Sequence, residues 1–169
     1  MLFRSETKGR FIQSLKAYLP DRTFEGTGIG TQLFTLEKLI AVLGKHIRDE
    51  LGATTPHQPR RIVLGRPVHF SLPPDDELDA FAAARLHDAM QMAGFEEIAF
   101  EYEPVAAAYA YETRLTHDER ILIGDFGGGT SDFTIISVGP GIRRRGRQPS
   151  DIIGTDGVPL AGDAFDKRI

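Results

Sequence analysis

Residues 121–138, ILIGDFGGGTSDFTIISV, constrain the fold of this chain more than any other stretch. An apolar run ends on Asp125. Gly127, Gly128 and Gly129 follow, then Thr130, Ser131 and Asp132, and then a second apolar run. Two strand-like runs joined by glycines predict a β-hairpin. On one reading the glycines only make the turn, and Asp and Thr are ordinary turn residues. On the other, the bend lets main chain approach a polyphosphate. Glycine has no Cβ to hold the backbone away and reaches dihedrals closed to other residues. Successive amide N–H groups in such a bend can form a concave anion site. Asp125 and Asp132 would repel phosphate unless a cation sat between, a role that hydrated Mg²⁺ fills when held by one or two carboxylates.

Other short matches lack their context. Asp125-Phe126-Gly127 spells a protein-kinase triplet, but the lysine strand and catalytic loop that belong upstream are absent from the sequence. Gly26–Thr31, GTGIGT, looks like a dinucleotide loop but follows a polar turn rather than a strand. No GxxxxGK[ST] or G-x-S-x-G pattern occurs. The five histidines, His46, His57, His69, His87 and His117, have no metal-ligand spacing and read as surface or packing residues. With zero cysteines there is no disulfide framework and no thiolate chemistry, which favours the cytoplasm. The net charge of −4 gives no general attraction to nucleic acid or anionic membrane. No apolar run approaches the roughly 20 residues that span a bilayer, and the first residues carry no signal-peptide core.

Along the chain, strands alternate with helices. Thr35–Leu51 is an amphipathic helix with Leu36, Leu39, Ile40, Leu43, Ile47 and Leu51 as its stripe, capped by Thr35 and ended by Gly52. A strand over residues 61–65 follows a proline-containing loop. A helix over 74–93 has Asp75, Asp76 and Glu77 at its positive end and Gly94 just past its close. Residues 97–102 alternate as a strand. Pro104 then suits a first helical turn, predicting a helix over 105–114. After the hairpin, Gly139-Pro140-Gly141 breaks the return strand. Residues 142–147, IRRRGR, read as a solvated loop, with a local anion or partner contact as the alternative. A last helix is expected from Asp163. This order predicts an α/β sheet protein.

Several segments, in this order, resemble the nucleotide-binding domain of DnaK-like heat-shock chaperones, within the actin-like ATPase superfamily. Residues 121–138 resemble its second phosphate loop. FEYEPVAAAYAYE, Phe100–Glu112, resembles its interdomain hinge. LAGDAFDKRI, Leu160–Ile169, resembles the start of its upper second lobe. IVLGRPVHF, Ile62–Phe70, is similar to the strand before its crossover helix, and the pairing of GFEEIAFEYEPVAAAYAYE, Gly94–Glu112, with Val138-Gly139-Pro140 after the hairpin is closest to the YegD-like branch. The resemblance implies an α/β actin-like ATPase (ribonuclease H-like) fold, here incomplete, with most of the first lobe and the start of the second. It divides the chain into a partial first-lobe upper subdomain (1–58), a first-lobe core (59–116), the start of the second-lobe core with the phosphate hairpin (117–156), and the opening of its upper subdomain (157–169).

The roles the resemblance implies fall on individual residues. Gly127, Gly128, Gly129 and Thr130 match groups that hold the β- and γ-phosphates of ATP. Asp125 and Asp132 match the acids that hold hydrated Mg²⁺ and orient water. Glu103 matches the hinge acid near the metal, and Pro104 its neighbour. Lys16, in FIQSLKAYLP, matches the lysine that approaches the γ-phosphate. Positioning and charge stabilisation are the logic of such phosphoryl transfer. The family's opening GIDxGTT hairpin, its adenosine-binding motif and its peptide-binding domain have no counterpart here. The chain therefore reads as part of a longer ATPase, expected to bind ATP weakly or not at all by itself, with open strand edges that would compromise its independent stability. Unfolded peptides and co-chaperones are the partners implied for the whole. A filament-forming or cell-shape protein, or a sugar or acetate kinase, of the same superfamily are the other readings, and a non-catalytic remnant is a fourth.

Overall fold

The computed structural model describes residues 12, 14–71, 73–128, 131–158 and 162. A 3-10 turn over Leu15–Tyr18 precedes a small hairpin of β1 (Thr27–Ile29) and β2 (Gln32–Phe34). Helix α1 (Leu36–Thr54), strand β3 (Arg61–Arg66), helix α2 (Asp76–Met92) and strand β4 (Glu97–Tyr102) follow. Helix α3 (Glu103–Glu112) leads into β5 (Glu119–Phe126) and β6 (Ser131–Val138), then helix α4 (Pro140–Arg145), a 3-10 turn (Pro149–Asp151) and β7 (Ile152–Val158). Strands β3 and β4 pair in parallel, and β5, β6 and β7 form an antiparallel sheet in that order. Among the described residues no helix is long and apolar enough to cross a membrane.

Local chemistry sets most of these boundaries. The Thr35 hydroxyl accepts the Lys38 N–H at the start of α1. Asp75 accepts the N–H groups of Glu77 and Leu78 at the start of α2. Gly94, at φ 93°, closes α2, and the Phe95 N–H reaches back to the Met90 carbonyl, the 6→1 bond of a Schellman cap. Gly52 does not end α1 as expected. The helix continues to Thr54, and the hydroxyls of Thr54 and Thr55 both donate to the Leu51 carbonyl, satisfying an otherwise orphaned acceptor.

The buried face of α1 also differs from the expected stripe. Leu36, Ile40, Ala41 and Gly44 are buried, while Leu43, Ile47 and Leu51 are exposed. Small residues decide this. A Cβ on Gly44 would stand 3.1 Å from the Ala93 Cβ and 2.9 Å from the end of Met90, so α1 and α2 meet over glycine and alanine rather than leucine. The resulting core joins Leu36 and Ile40 to Ala82, Ala89, Met90 and Phe95, with Ile62, Leu64 and Ile98 of the parallel strands against it. A second core lies under the antiparallel sheet, where Val105 and Ala108 of α3 pack on Ile136 and Val138 of β6. Helix α3 starts at Glu103, two residues earlier than expected, directly from the end of β4.

The β1–β2 hairpin, α4, the 3-10 turn over Pro149–Asp151 and β7 were not foreseen. GTGIGT is the first of these, a turn at Gly30 (φ 61°) between two short strands. The arginine run is not simply a solvated loop. Glu112, 2% exposed, accepts the Gly139 N–H at 2.7 Å and the Arg147 guanidinium at 3.0 Å, and Arg147 also donates to the Ser137 carbonyl. Arg145 pairs with buried Asp151, whose other oxygen accepts the Gln148 N–H. Arg143, Arg144 and Arg145 are exposed, as a solvated face requires, although Arg145 is also paired with Asp151; Arg147 is the one drawn inward. The helix expected from Asp163 lies outside the described residues.

Candidate functional site

A cleft opens where the carboxyl ends of β3 and β4, the 3-10 turn and the β5–β6 hairpin converge. Carboxyl ends of parallel strands are where open α/β sheets take ligands. The larger part, about 270 Å³, is lined by Lys16, His69, Glu103, Asp125, Gly127 and Asp132 among others. An adjoining part of about 60 Å³ adds Thr134, Thr155 and Asp156. The larger volume falls just below the ~300–1,000 Å³ usual for whole small-molecule ligands. It suits a phosphate group with its counter-ion.

The two hairpin acids face each other across the strands. Asp125 is the register partner of Asp132, one step before Phe126 and Ser131 close the ladder. Directly opposed residues have Cβ atoms roughly 4.5–5.5 Å apart, and like charges there are destabilising. Gly127 and Gly128 begin the connecting bend. The Gly162 N–H donates to the Gly127 carbonyl at 3.1 Å, and a Cβ on Gly162 would stand 3.4 Å from that oxygen. Gly129 and Thr130 lie outside the described residues.

The opposite wall carries Glu103 and Lys16. Glu103 stands in the first turn of α3, where the helix dipole favours an acid. Gly65 leaves it room, since a Cβ there would stand 3.2 Å from Glu103 Cγ. Lys16 Nζ donates to both Glu103 carboxylate oxygens, at 2.7 and 2.9 Å, across 87 residues of chain. The two side chains are 55% and 32% exposed, so the pair is worth well under the energy of a buried one, on the order of 0.2–1 kcal/mol, and can open to admit a ligand. Arg85 fixes the chain after Lys16. Its guanidinium pairs with Glu37 and donates to the carbonyls of Tyr18, Asp21 and Phe24. Burial alone would raise the Glu37 pKa, but the Arg85 hydrogen bond and charge hold it below the ordinary value.

The cleft therefore gathers Lys16, Glu103, Asp125, Asp132, Gly127 and Gly128, six of the eight residues expected from sequence. The expectation missed His69. It read as a surface or packing residue, yet it lines both parts of the cleft, with Nδ1 2.7 Å from the Asp79 carboxylate. No spacing rule pairs residues 69 and 79; only the packing of α2 against the loop after β3 brings them together. Asp156 was also missed, because β7 itself was.

The donors on these walls are carboxylate and carbonyl oxygens, the set that suits a hard cation. Among the described residues, no three acidic or imidazole groups converge tightly enough to hold an ion by themselves. The two opposed carboxylates, Asp125 and Asp132, fit Mg²⁺, which keeps several waters and uses one or two carboxylates plus phosphate oxygens.

A cleft of this kind, at the carboxyl ends of parallel strands and faced by a glycine hairpin with paired acids, belongs to the actin-like ATPase class of folds. Within that class, the model of the Hsp70 protein family matches residues 27–169, and the chain belongs to this family. It is 32% identical over 146 residues to a stromal 70 kDa heat shock-related protein, chloroplastic, from Spinacia oleracea, covering 86% of this chain and 22% of the relative. It is 31% identical over 157 residues to the chaperone protein dnaK of Cyanidium caldarium, covering 92% and 22%. The chaperone protein DnaK of Prochlorococcus marinus (strain MIT 9515) is 31% identical over 156 residues, covering 92% and 21%. The chain thus spans about a fifth of the length of the curated relatives it matches.

Proposed function

We propose that these residues form the phosphate-binding side of an ATP cleft in an Hsp70-type chaperone. In that cleft, Gly127, Gly128, Gly129 and Thr130 hold the β- and γ-phosphates, Asp125 and Asp132 hold hydrated Mg²⁺, and Lys16 and Glu103 flank the transferred group. The intact protein hydrolyses ATP to ADP and phosphate, and the reaction drives lobe closure. The observation that carries this reading is the register pairing of Asp125 with Asp132 beside a glycine bend. Two carboxylates set opposite each other cost stability unless a cation joins them. Mg²⁺, when bound, neutralises charge on the phosphate oxygens; the amides of the bend orient those oxygens, and Lys16 supplies a positive charge next to them. Leaving Glu103 for the phosphate frees Lys16 at little expense, which suits a group that must change partners.

The same reading assigns residues 1–58 and 59–116 to the upper and core parts of a first lobe, and 117–156 and 157–169 to the core and upper parts of a second. Unfolded peptides and co-chaperones are the partners of the whole protein, and a reducing compartment such as the cytoplasm fits a chain with zero cysteines. The test is ATP turnover by the intact protein carrying Asp125→Asn or Gly128→Val. Both substitutions should suppress hydrolysis, the second because a branched side chain blocks close approach of the phosphate. Turnover at the unsubstituted rate in both variants removes the hairpin from the site.

A further inference from the structure

The histidine in the cleft wall has a use that the phosphate-holding residues leave open. His69 Nδ1 lies 2.7 Å from Asp79 Oδ2, and the other Asp79 oxygen accepts the Phe70 N–H at 2.6 Å. Asp79 is 6% exposed, whereas the His69 ring keeps 26% of its surface. A carboxylate that is buried and already receiving one N–H acts as a hydrogen-bond acceptor, so it selects the Nδ1–H tautomer of its partner. Nε2 is then the ring nitrogen that carries a lone pair, on a residue lining both parts of the cleft.

The loop that carries the ring is held from behind. Arg66 donates to the carbonyls of Pro67 and Val68, and its guanidinium lies over the Phe70 ring at 5.1 Å and the Tyr102 ring at 5.3 Å. A histidine oriented by a buried acid and presented on a fixed loop has the arrangement of a general base with its orienting group. The carboxylates sharing the cleft are Glu103, Asp125, Asp132 and, in its smaller part, Asp156, and its cation is Lys16. In the proposed site the metal takes Asp125 and Asp132, while Glu103 and Asp156 stay available; His69 differs from them in being oriented by a buried acid, Asp79.

We infer that His69, oriented by Asp79, takes the proton from the water that attacks the terminal phosphate of the bound nucleotide. This inference rests on the proposed ATP site. In the step, a water O–H bond breaks and its electron pair forms the new oxygen–phosphorus bond. The bond from phosphorus to the bridging oxygen breaks, and its pair leaves with the diphosphate. The proton goes to His69 Nε2 and later to solvent. Asp79 keeps its hydrogen bond to Nδ1 throughout and acts as a positioning residue.

Two substitutions separate this role from a merely structural one. In His69→Asn the amide N–H can replace Nδ1–H toward Asp79, but nothing replaces Nε2. Asp79→Asn keeps the size of the acceptor and removes its preference for the Nδ1–H tautomer. Single-turnover hydrolysis of Mg·ATP by the intact protein is measured from pH 5 to 8, the range over which imidazoles change charge, alongside Mg·ATP affinity by calorimetry. The unsubstituted protein should lose rate as pH falls. His69→Asn should bind Mg·ATP as before and be slower at pH 8 by about 10²-fold or more, with that acid-side loss gone. Unaltered rate and pH profile in His69→Asn overturns the inference alone, leaving the phosphate site standing. Absence of Mg·ATP binding by the unsubstituted protein overturns both.

A readout free of nucleotide covers the case in which Asp79→Asn does not fold. Nitrogen-15 spectra of the imidazole in the unliganded, unsubstituted chain should show the Nδ1–H tautomer for His69. The Nε2–H tautomer would overturn the assignment.

Discussion

Strand β6 begins and ends among charges, and the two ends treat them in opposite ways. At its start, Asp132 faces Asp125 across the ladder. At its end, Gly139 and the arginine run are tied down by acids that each find a donor. Glu112 takes the Gly139 N–H and Arg147, Asp118 takes the Gly141 N–H, and Asp151 takes Arg145 and the Gln148 N–H. The difference is that at one end each acid accepts from an arginine or a backbone N–H, and at the other two acids stand directly opposite each other in the ladder. Internal neutralisation marks structure. Juxtaposed like charge beside a glycine bend, in a cleft, is the feature on which the proposed metal site rests.

The comparison can be broken most forcefully at Glu112. Glu112→Ala leaves the half-buried Arg147 without its carboxylate partner and the Gly139 N–H without an acceptor. Removing one member of a buried pair costs roughly 3–5 kcal/mol, so urea unfolding should show a loss of that order. A loss below about 1 kcal/mol would mean the arginine end is not held together by this acid.

Asp151 gives a smaller effect and a pH signature. Burial pushes its pKa up, but the Arg145 hydrogen bond, the Gln148 N–H and the charges of Arg145 and Arg147 outweigh it, and the carboxyl titrates below its ordinary value. A group with a depressed folded pKa contributes stability above its unfolded pKa, about 3.9, and loses it as pH falls through the folded value. Asp151→Asn should therefore cost about 1–3 kcal/mol at neutral pH, the usual range for hydrogen bonds to a charged group. The penalty should shrink as the medium is acidified below pH 4. An equal cost at every pH would contradict the ion-pair account.

At the other end of β6 the sign reverses. Asp125→Asn removes one of two opposed charges and should stabilise the metal-free protein by roughly 0.2–1 kcal/mol, visible as a raised unfolding midpoint in EDTA. Destabilisation of that size would mean the two acids are not in conflict. Smallest of all, Arg143→Ala and Arg144→Ala should each fall within about ±0.5 kcal/mol, as for surface positions away from caps and pairs. Larger losses would extend the structural network to the whole run.

What the sequence made legible was local chemistry. Thr35 and Gly94 announce the start of α1 and the end of α2, and Glu103-Pro104 the start of α3, because caps and first turns act over three or four residues. The hairpin and its acids were legible for the same reason. The face of α1 was not, because Leu43, Ile47 and Leu51 fit a helical stripe as well as Ile40 and Gly44 do. Only the close approach of Ala93 and Met90 decides between them. Strand β7 was missed because IIGTDGV interrupts its apolar residues with two glycines, and its strand character comes from pairing with β6. Arg147 and His69 were misjudged because their partners, Glu112 and Asp79, arrive through tertiary packing.

The central claim is that the bend after Asp125 holds a magnesium–polyphosphate, and a crystal structure of the intact protein with Mg²⁺ and ADP tests it most directly. The account predicts a hydrated metal between the Asp125 and Asp132 carboxylates and phosphate oxygens on the amides of the glycine bend. Nucleotide bound elsewhere, with the two carboxylates apart and no metal between them, would contradict it.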